Sequence, residues 1–473
     1  MPAADGSSRR SGRVNAPGRV NSPRRAIAPA RECAYVVLRR VFERGSYADL
    51  ALRAEADSAR LDRRDRALAM RLAYGAVQRR GTLDHLLGQL AERPAAQLDP
   101  PVLAALRLGL YELLYLSGSP DRAVVGDAVE LAKRHGRAGH GLVNAVLRRA
   151  GREGAAGLLG ALSDRTPEQA AVLHSHPAWV VRLWWERLGA AEARGLLAFD
   201  NEPGELALRA NTLVVGPDSL AANLADRAVA FHRDETIAEA LVLDGPFDLH
   251  ESPLWRSGAF VAQSRAAMLV AHALAPARGE RVLDLCAAPG GKTTHLAALM
   301  EGDGTVLAVE RNPARAAELE RTARRLRAEN VRVELAHAAR ARAEGAVFDR
   351  VLVDPPCSGL GTLQARADLR WRVSETDVVQ MAEKQRAILE AGAAALRPGG
   401  VLVYSTCTIS PIENEHLIES FLDSHADFSL DDLAPELPAF TGGAPRISLP
   451  GTAVTLPHRD RTAGFFIARM RRS

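Results

Sequence analysis

Apolar residues recur at helical spacing through the N-terminal part of the chain. Ala34, Val37 and Val41 fall on one face of a helix, and the same spacing returns at residues 68–77. Proline and glycine residues separate one run from the next. We therefore predict an all-α domain that spans residues 26–155.

A less regular pattern follows this helical region. Residues 151–160 are rich in Gly and Ala and predict a linker. Between residues 165 and 275, runs with helical spacing mix with short apolar runs that are typical of strands. We predict a small α+β domain there, with helices at 176–185 and 263–274 and strands at 206–211 and 240–243.

From residue 276 onward, short apolar runs alternate with helical runs. Such alternation is typical of a parallel sheet with helices on both faces, so we predict a Rossmann-like α/β domain over residues 276–473. The predicted strands are 281–285, 305–310, 331–335, 348–354, 400–405, 453–456 and 464–470, and a long helix is predicted at 378–396.

Length and composition agree with several folded domains and favour a nucleic-acid partner. A chain of 473 residues with 47% apolar residues is too long for one ordinary domain and can bury large cores. Arginine supplies nearly all of the basic charge, and guanidinium groups bind phosphate and stack on bases. Residues 1–25 are rich in Pro, Gly, Ser and Arg and predict a disordered basic arm. An Arg bias of the coding sequence, without any RNA partner, is the alternative.

Several classes of protein are excluded by the sequence. The four cysteines are too scattered for a disulfide framework and contain no Cys-x-x-Cys pair for zinc. The thirteen histidines form no group at ligand spacing, so we predict no metal site. No uncharged apolar stretch reaches the roughly 18 residues that a membrane span needs, and the N-terminus has no apolar signal core. We therefore expect a cytoplasmic protein.

A glycine-containing loop follows the first strand of the predicted α/β domain. It lacks the Gly-x-x-x-x-Gly-Lys-Thr spacing of a phosphate-binding loop and the Gly-x-Gly-x-x-Gly of dinucleotide sites. A nucleoside cofactor without a phosphate chain fits such a loop, and S-adenosylmethionine is the commonest of these. The predicted cofactor loop consists of Cys286, Ala287, Ala288, Pro289, Gly290, Gly291 and Lys292.

Glu310 is a candidate for binding the ribose of that cofactor. It ends the second strand, about 20 residues beyond the glycines, which is the usual spacing of a ribose-binding acid. A carboxylate at this position can accept hydrogen bonds from both ribose hydroxyls. The alternative is a solvated charge at the end of a strand.

Two cysteines follow neighbouring strands of the predicted sheet. Cys357 comes after the fourth strand, in Asp354-Pro-Pro-Cys357, and Cys407 comes after the fifth. In a doubly wound sheet the first, fourth and fifth strands are adjacent, so both thiols should face the cofactor. Such a pair suits methylation of carbon 5 of a pyrimidine, because a thiolate that adds to carbon 6 makes carbon 5 nucleophilic. One cysteine attacks and the other assists release; a disulfide between them is the alternative.

The motifs DLCAAPGGKTT, DPPCSGLGT and YSTCTISPIENE, together with Glu310, resemble those of the RNA cytosine-C5 methyltransferases of the Nol1/Nop2/Sun class. In the N-terminal part, RLAYGAVQRRGTLDHLL and GLVNAVLRR resemble the antitermination factor NusB. The combination is similar to bacterial methyltransferases of 16S ribosomal RNA, and the resemblance covers residues 26–473. It implies a NusB-like helical RNA-binding domain, a small linker domain and a class I methyltransferase domain.

The resemblance also implies a role for each site residue. Cys407 matches the attacking cysteine and Cys357 the one that helps to expel the product. Residues 286–292 match the loop that holds the methionine part of S-adenosylmethionine, Glu310 the ribose acid, and Asp354 an acid near the cofactor amine and the target base. The implied reaction is methylation of carbon 5 of a cytidine in small-subunit ribosomal RNA, free or in a pre-ribosomal particle, through a covalent adduct.

The sequence departs from this family after the third strand. The family usually has an acid there that binds the adenine amine, whereas this chain has Ala338. Either His337 takes its place, or adenine is held by apolar packing and backbone alone. Two other functions stay open: a transfer RNA cytosine-C5 methyltransferase, and a catalytically silent RNA-binding or antitermination-like protein, which Ala338 favours.

Overall fold

The computed structural model describes residues 26–136, 138–340, 348–437, 440 and 449–473; the predicted basic arm lies outside them. Helices pack around one apolar cluster in the N-terminal part, with Leu38, Leu72 and Leu106 at its centre. The predicted all-α fold is confirmed. The helices are α1 (Pro29–Arg44), α2 (Ala48–Ser58), α3 (Arg63–Gln78), α4 (Arg80–Leu90), α5 (Pro100–Tyr115), α6 (Asp121–His135) and α7 (His140–Gly160).

The predicted linker at residues 151–160 is wrong. These residues belong to α7, which is broken only at Gly154, where φ is 72° and ψ is 163°. Leu158 is buried against the other helices, so the apolar spacing of α7 continues past the break. Gly and Ala, which suggested a flexible segment, are here the small residues of a kinked helix.

The middle part combines helices with a small sheet, as predicted, and the strands of this sheet pair antiparallel. The strand order is β2-β3-β1-β4. The short strands β2 and β4 were not predicted. The elements are α8 (Pro167–Leu173), α9 (Ala178–Leu188), α10 (Ala190–Phe199), β1 (Ala207–Ala210), α11 (Pro217–Ala225), β2 (Phe231–Arg233), β3 (Ala240–Leu243), α12 (Pro253–Arg256), β4 (Phe260–Ala262) and α13 (Arg265–Leu274).

The C-terminal part is an α/β fold around a larger sheet. Its elements are β5 (Arg281–Asp284), α14 (Gly291–Leu299), β6 (Thr305–Glu310), α15 (Pro313–Arg325), β7 (Val331–Leu335), β8 (Phe348–Val353), α16 (Glu375–Ala395), β9 (Leu396–Thr406), α17 (Glu415–Ser424), β10 (Phe428–Leu430), β11 (Ala453–Thr455), α18 (Pro457–Asp460) and β12 (Phe465–Arg472).

This sheet is only partly parallel. The strand order is β10-β12-β9-β8-β5-β6-β7, and the strands from β9 to β7 are parallel to one another. In contrast, β12 pairs antiparallel with β9, β10 and β11, which corrects the prediction of a purely parallel sheet. The carboxyl ends of β5, β8 and β9 lie side by side, where a doubly wound sheet binds its ligand.

A short 3₁₀ turn, Leu369–Trp371, ties the N-terminal helices to the rest of the chain. The Arg370 side chain is 0% exposed and donates hydrogen bonds to the carbonyls of Ser175 at 3.0 Å and Asp200 at 3.1 Å. The indole N–H of Trp371 donates to the Val77 carbonyl in α3 at 2.7 Å. Among the described residues, no helix has the length and apolarity to cross a membrane.

Candidate active site

The cofactor loop leaves β5 and enters α14 with little side-chain bulk. Gly290 precedes α14 with φ of 104°, a conformation that favours glycine. A Cβ at this position would lie 2.6 Å from the Leu319 side chain, so glycine is also required by packing. The Ala287 N–H donates to the Val309 carbonyl at 3.1 Å, which holds the loop against the end of β6. Backbone therefore lines this part of the site.

Asp284, the last residue of β5, stabilises the same loop. Its buried carboxylate accepts a hydrogen bond from the Thr293 hydroxyl at 2.7 Å, across the turn into α14. Burial raises the pKa of Asp284 to about 6 despite this bond. Asp284 thus fixes the start of α14 relative to β5.

Glu310 lies at the end of β6, beside the cofactor loop. Its side chain is largely buried, and one carboxylate oxygen accepts from the Asn312 N–H at 2.8 Å. The guanidinium of Arg315 approaches the other oxygen at 3.8 Å and donates to the Ala288 carbonyl at 2.6 Å. The acid is therefore oriented at the place where a ribose-binding group was predicted.

Cys357 and Cys407 meet at the carboxyl ends of β8 and β9. Their Sγ atoms are 3.3 Å apart, and both side chains are half-buried. The Gly361 N–H donates to the Cys407 carbonyl at 3.0 Å, which joins the two loops that carry the thiols. The geometry brings together the two cysteines that the strand order placed on one edge.

The two thiols differ in acidity. A hydrogen bond from Cys357 lowers the pKa of Cys407 below its ordinary value, and Lys292 and Arg366 act in the same direction. The same hydrogen bond, together with burial, raises the pKa of Cys357 well above that value. These opposite shifts favour Cys407 as the thiol that ionises first, and a Cys407 thiolate accepts the hydrogen bond from Cys357.

Lys292 and Asp354 form an ion pair beside the thiols. The Lys292 Nζ is 2.7 Å from one Asp354 oxygen, and the Ser405 hydroxyl donates to the other at 2.8 Å. Burial alone would lower the pKa of Lys292, but the Asp354 carboxylate outweighs it and raises the pKa. The ring of Phe465 in β12 lies 5.1 Å from the same ammonium group. Lys292 is thus a fixed positive charge at this edge.

Ala338 lies in an apolar environment after β7. It is 7% exposed and packs in one cluster with Leu283, Leu285 and Val309, with Cys286 against its rim. His337 is exposed, while residues 341–347 lie outside the described part. Of the two alternatives, this environment favours apolar packing.

Two histidines and a glutamate converge away from this edge, although their spacing in the sequence gave no such group. The Nε2 atoms of His272 and His295 each lie 2.7 Å from one Oε1 of Glu239. The three residues come from α13, α14 and the approach to β3, and their ligand atoms lie within 4.8 Å of one another. Burial and the nearby Arg209 guanidinium lower the pKa of His295 to about 3. The positive charge of Arg209 would repel a divalent metal ion bound between these three residues. We therefore interpret the group as a hydrogen-bond network.

Sequence reasoning missed the side chains that support the thiols. Ser358, Gln385 and Glu413 form a buried hydrogen-bonded group behind Cys357 and Cys407. Glu413 stands in the segment YSTCTISPIENE, and its position there was the only signal in the sequence. A glutamate in a loop would ordinarily be expected to be exposed to solvent.

Comparison with known proteins matches all three parts of the chain. Residues 271–471 match the family described as 16S rRNA methyltransferase RsmB/F, and residues 28–152 match the NusB family. Residues 176–250 match a ferredoxin-like domain described as Methyltr_RsmF/B-like. These three matches follow the order of the three folds described above.

Similarity extends over nearly the whole chain. It is 35% identical over 447 residues to the probable ribosomal RNA small subunit methyltransferase B of Synechocystis, covering 94% of this chain and 99% of that protein. The probable ribosomal RNA small subunit methyltransferase B of Bacillus subtilis is 34% identical, with 93% and 98% covered. The crystal structure of PH0851 superposes with a TM-score of 0.80 at 27% identity, covering 95% of this chain and 100% of that one.

Proposed function

The chain belongs to the 16S rRNA methyltransferase family RsmB/F, and from that premise we propose that it methylates carbon 5 of a cytidine through a covalent adduct with Cys407. The observation that carries this proposal is the pair of thiols 3.3 Å apart beside the cofactor loop. A single nucleophile would suffice for addition to the base. A second thiol in contact with the first fits a reaction that must also expel its product.

S-adenosylmethionine is the methyl donor, and the residues at the sheet edge fit it. We assign residues 286–292 to its methionine part and Glu310 to its ribose. This assignment is supported by the lack of a side chain at Gly290 and by the Glu310 carboxylate, which the Asn312 N–H holds in place. When bound, the cofactor supplies an electrophilic methyl group. Ala338 and its apolar neighbours are assigned to the adenine ring.

Three residues of the chain are assigned separate roles at the target cytosine. The Cys407 thiolate adds to carbon 6 of the cytosine, and the electron pair of the 5,6 double bond becomes available at carbon 5. Asp354, held by Lys292 and Ser405, is assigned to the edge of the base. After carbon 5 has taken the methyl group, it loses its proton to a base, the double bond re-forms and Cys407 leaves. Cys357 is assigned to this release, and the lower pKa of Cys407 supports the division of roles.

Replacement of each cysteine tests the mechanism. We expect Cys407→Ala to abolish methylation of 16S ribosomal RNA, and Cys357→Ala to accumulate an RNA–protein adduct that survives a denaturing gel. Bisulfite sequencing of the product should place the methyl group on carbon 5. Cys33→Ala, in the buried face of α1, is the matched control and should behave as the unmodified protein. Trapping by Cys407→Ala instead would reverse the roles.

Ala338 keeps one second function under consideration, an RNA-binding protein without catalysis. Calorimetric titration with S-adenosylmethionine separates the two, because a silent protein would not bind the cofactor. Parallel assays with 16S ribosomal RNA and with transfer RNA decide between the two RNA substrates. We expect cofactor binding and activity on 16S ribosomal RNA.

A further inference from the structure

A buried carboxylate lies behind the two thiols. Glu413 is 0% exposed and stands on the segment between β9 and α17, a few residues beyond Cys407. A glutamate in the interior is costly unless its oxygens are fully bonded. The hydrogen-bond partners of Glu413 therefore indicate what this buried carboxylate does.

Glu413 holds the loop of Cys357. One oxygen accepts the Ser358 N–H at 2.8 Å, and the other accepts the Ser358 hydroxyl. The Gln385 amide donates to Glu413 at 2.9 Å and to the Pro356 carbonyl at 2.9 Å. The residues on both sides of Cys357 are thus tied, directly or through Gln385, to one carboxylate.

The same carboxylate holds the loop of Cys407. The Thr408 hydroxyl lies 2.6 Å from the Ser358 hydroxyl, which itself donates to Glu413. On the backbone side, the Tyr404 hydroxyl donates to the Glu413 carbonyl at 2.7 Å. The residue that follows Cys357 therefore bonds to Glu413 directly, and the residue that follows Cys407 reaches it through the Ser358 hydroxyl, so the two thiol loops are joined at this carboxylate.

The electrostatics of this group agree with the geometry. Burial raises the pKa of Glu413, although its hydrogen bonds oppose the shift. The donors named above are neutral, so the carboxylate is stabilised by hydrogen bonds alone. Its charge also contributes to the raised pKa of Cys357, which keeps that thiol protonated and able to donate.

We propose that Glu413 is a positioning residue that fixes the separation and direction of the two thiols, so that Cys357 donates to Cys407. Its effect on turnover rests on the proposed function, whereas its effect on the thiols is a property of the protein alone. The hydrogen bonds of the Glu413 carboxylate go to Ser358 and Gln385 and not to either sulfur. It acts through Ser358 and Thr408.

Alkylation of the full-length protein tests this assignment without any RNA. Iodoacetamide is added between pH 6 and 10, and mass spectrometry follows Cys357 and Cys407 separately. Unmodified protein should alkylate Cys407 first. In Glu413→Gln the negative charge is lost and an amide N–H₂ takes the place of Oε2, where it faces the Ser358 hydroxyl that donates to this oxygen. The preference for Cys407 should therefore fall about tenfold, equivalent to about one pH unit.

Two further variants and one kinetic measurement complete the test. Glu415→Gln is the matched control, because Glu415 stands in the same motif but pairs with Arg187, and its alkylation preference should be unchanged. Ser358→Ala removes only one hydroxyl and should give a smaller change in the direction of Glu413→Gln, even if the latter does not fold. With RNA, Glu413→Gln should lower kcat at least tenfold and leave KM and cofactor binding within about twofold.

The outcomes separate the two proposals. An unchanged preference in folded Glu413→Gln, or an equal loss in Glu415→Gln, would overturn the positioning role. If the unmodified protein forms no adduct and no 5-methylcytidine while Glu413→Gln still loses its thiol preference, the positioning role stands and the proposed reaction fails.

Discussion

At the scale of single residues, the two thiols of the active site differ because one donates a hydrogen bond to the other. Their Sγ atoms are 3.3 Å apart, and Cys357, which has the higher pKa, is the donor when Cys407 is a thiolate. Stabilisation of the Cys407 thiolate therefore depends on a neighbour from a different strand. Lys292 adds positive charge nearby, but its own partner, Asp354, raises the pKa of Cys407 and offsets that contribution.

Removal of Cys357 should make Cys407 less acidic. The lowered pKa of Cys407 owes most to the Cys357 hydrogen bond, so Cys357→Ala should raise the midpoint of Cys407 alkylation toward its ordinary value near 9. At pH 7.5 the rate of Cys407 alkylation should fall, because less of the Cys407 side chain is present as thiolate. Iodoacetamide labelling of Cys357→Ala and of the control Cys33→Ala measures this shift. A midpoint that stays in place would mean that Lys292 and Arg366 control the acidity.

Residues with a local motif were predictable and those with a tertiary role were not. The cofactor loop, Glu310 and the cysteine pair follow from strand ends and spacing, and the structure brings them to one edge of the sheet. The supporting role of Glu413 depends on hydroxyls from two separate loops, which no spacing reveals. The grouping of His272 and His295 was missed for the same reason.

At the scale of elements, apolar spacing predicted most helices and strands but misjudged small residues. Helix α7 continues through the Gly- and Ala-rich residues, and only Gly154 leaves the helical conformation. The direction of β12 also escaped prediction, since a strand has the same apolar pattern whether its partner runs parallel or antiparallel. Strand β10 has only three residues and was not predicted, whereas β11, equally short, was.

The break in α7 should be sensitive to Gly154 and tolerant at Gly157. Gly154 has a positive φ with open space around its Cα, so Gly154→Ala should destabilise by about 1–3 kcal/mol through backbone strain alone. Gly157 is helical and also open, so Gly157→Ala should stabilise by about 0.5–1 kcal/mol. Urea unfolding of the two variants measures the difference. If both variants changed the free energy of unfolding equally, a side chain at residue 154 would not strain the backbone.

At the scale of the whole molecule, one 3₁₀ turn joins the NusB-like helices to the catalytic part. The turn Leu369–Trp371 follows the Cys357 loop in the sequence and reaches Val77 in α3 through Trp371. The order of the three folds was predictable from composition and motifs. Their contact was not, because Arg370 bonds to carbonyls of segments that are far apart in the sequence.

Loss of Arg370 should weaken this junction. Arg370→Ala would leave the carbonyls of Ser175, Asp200 and Leu363 without this buried donor, and we expect a loss of about 3 kcal/mol. Arg372→Ala, directly after the turn, removes exposed hydrogen bonds to the carbonyls of Gly45 and Ser46 and should cost less than about 1 kcal/mol. Calorimetry should show a lower Tm, or two transitions, for Arg370→Ala only. A similar change in both variants would argue against a specific junction.

The pairing of β9 with β12 sets the order in which the sheet can close during synthesis. β9 leaves the ribosome well before β12, because α17, β10 and β11 lie between them. Until β12 follows, one edge of β9 exposes unpaired backbone groups to other nascent chains. In that interval the strand that precedes Cys407 is open to pairing with a neighbouring chain.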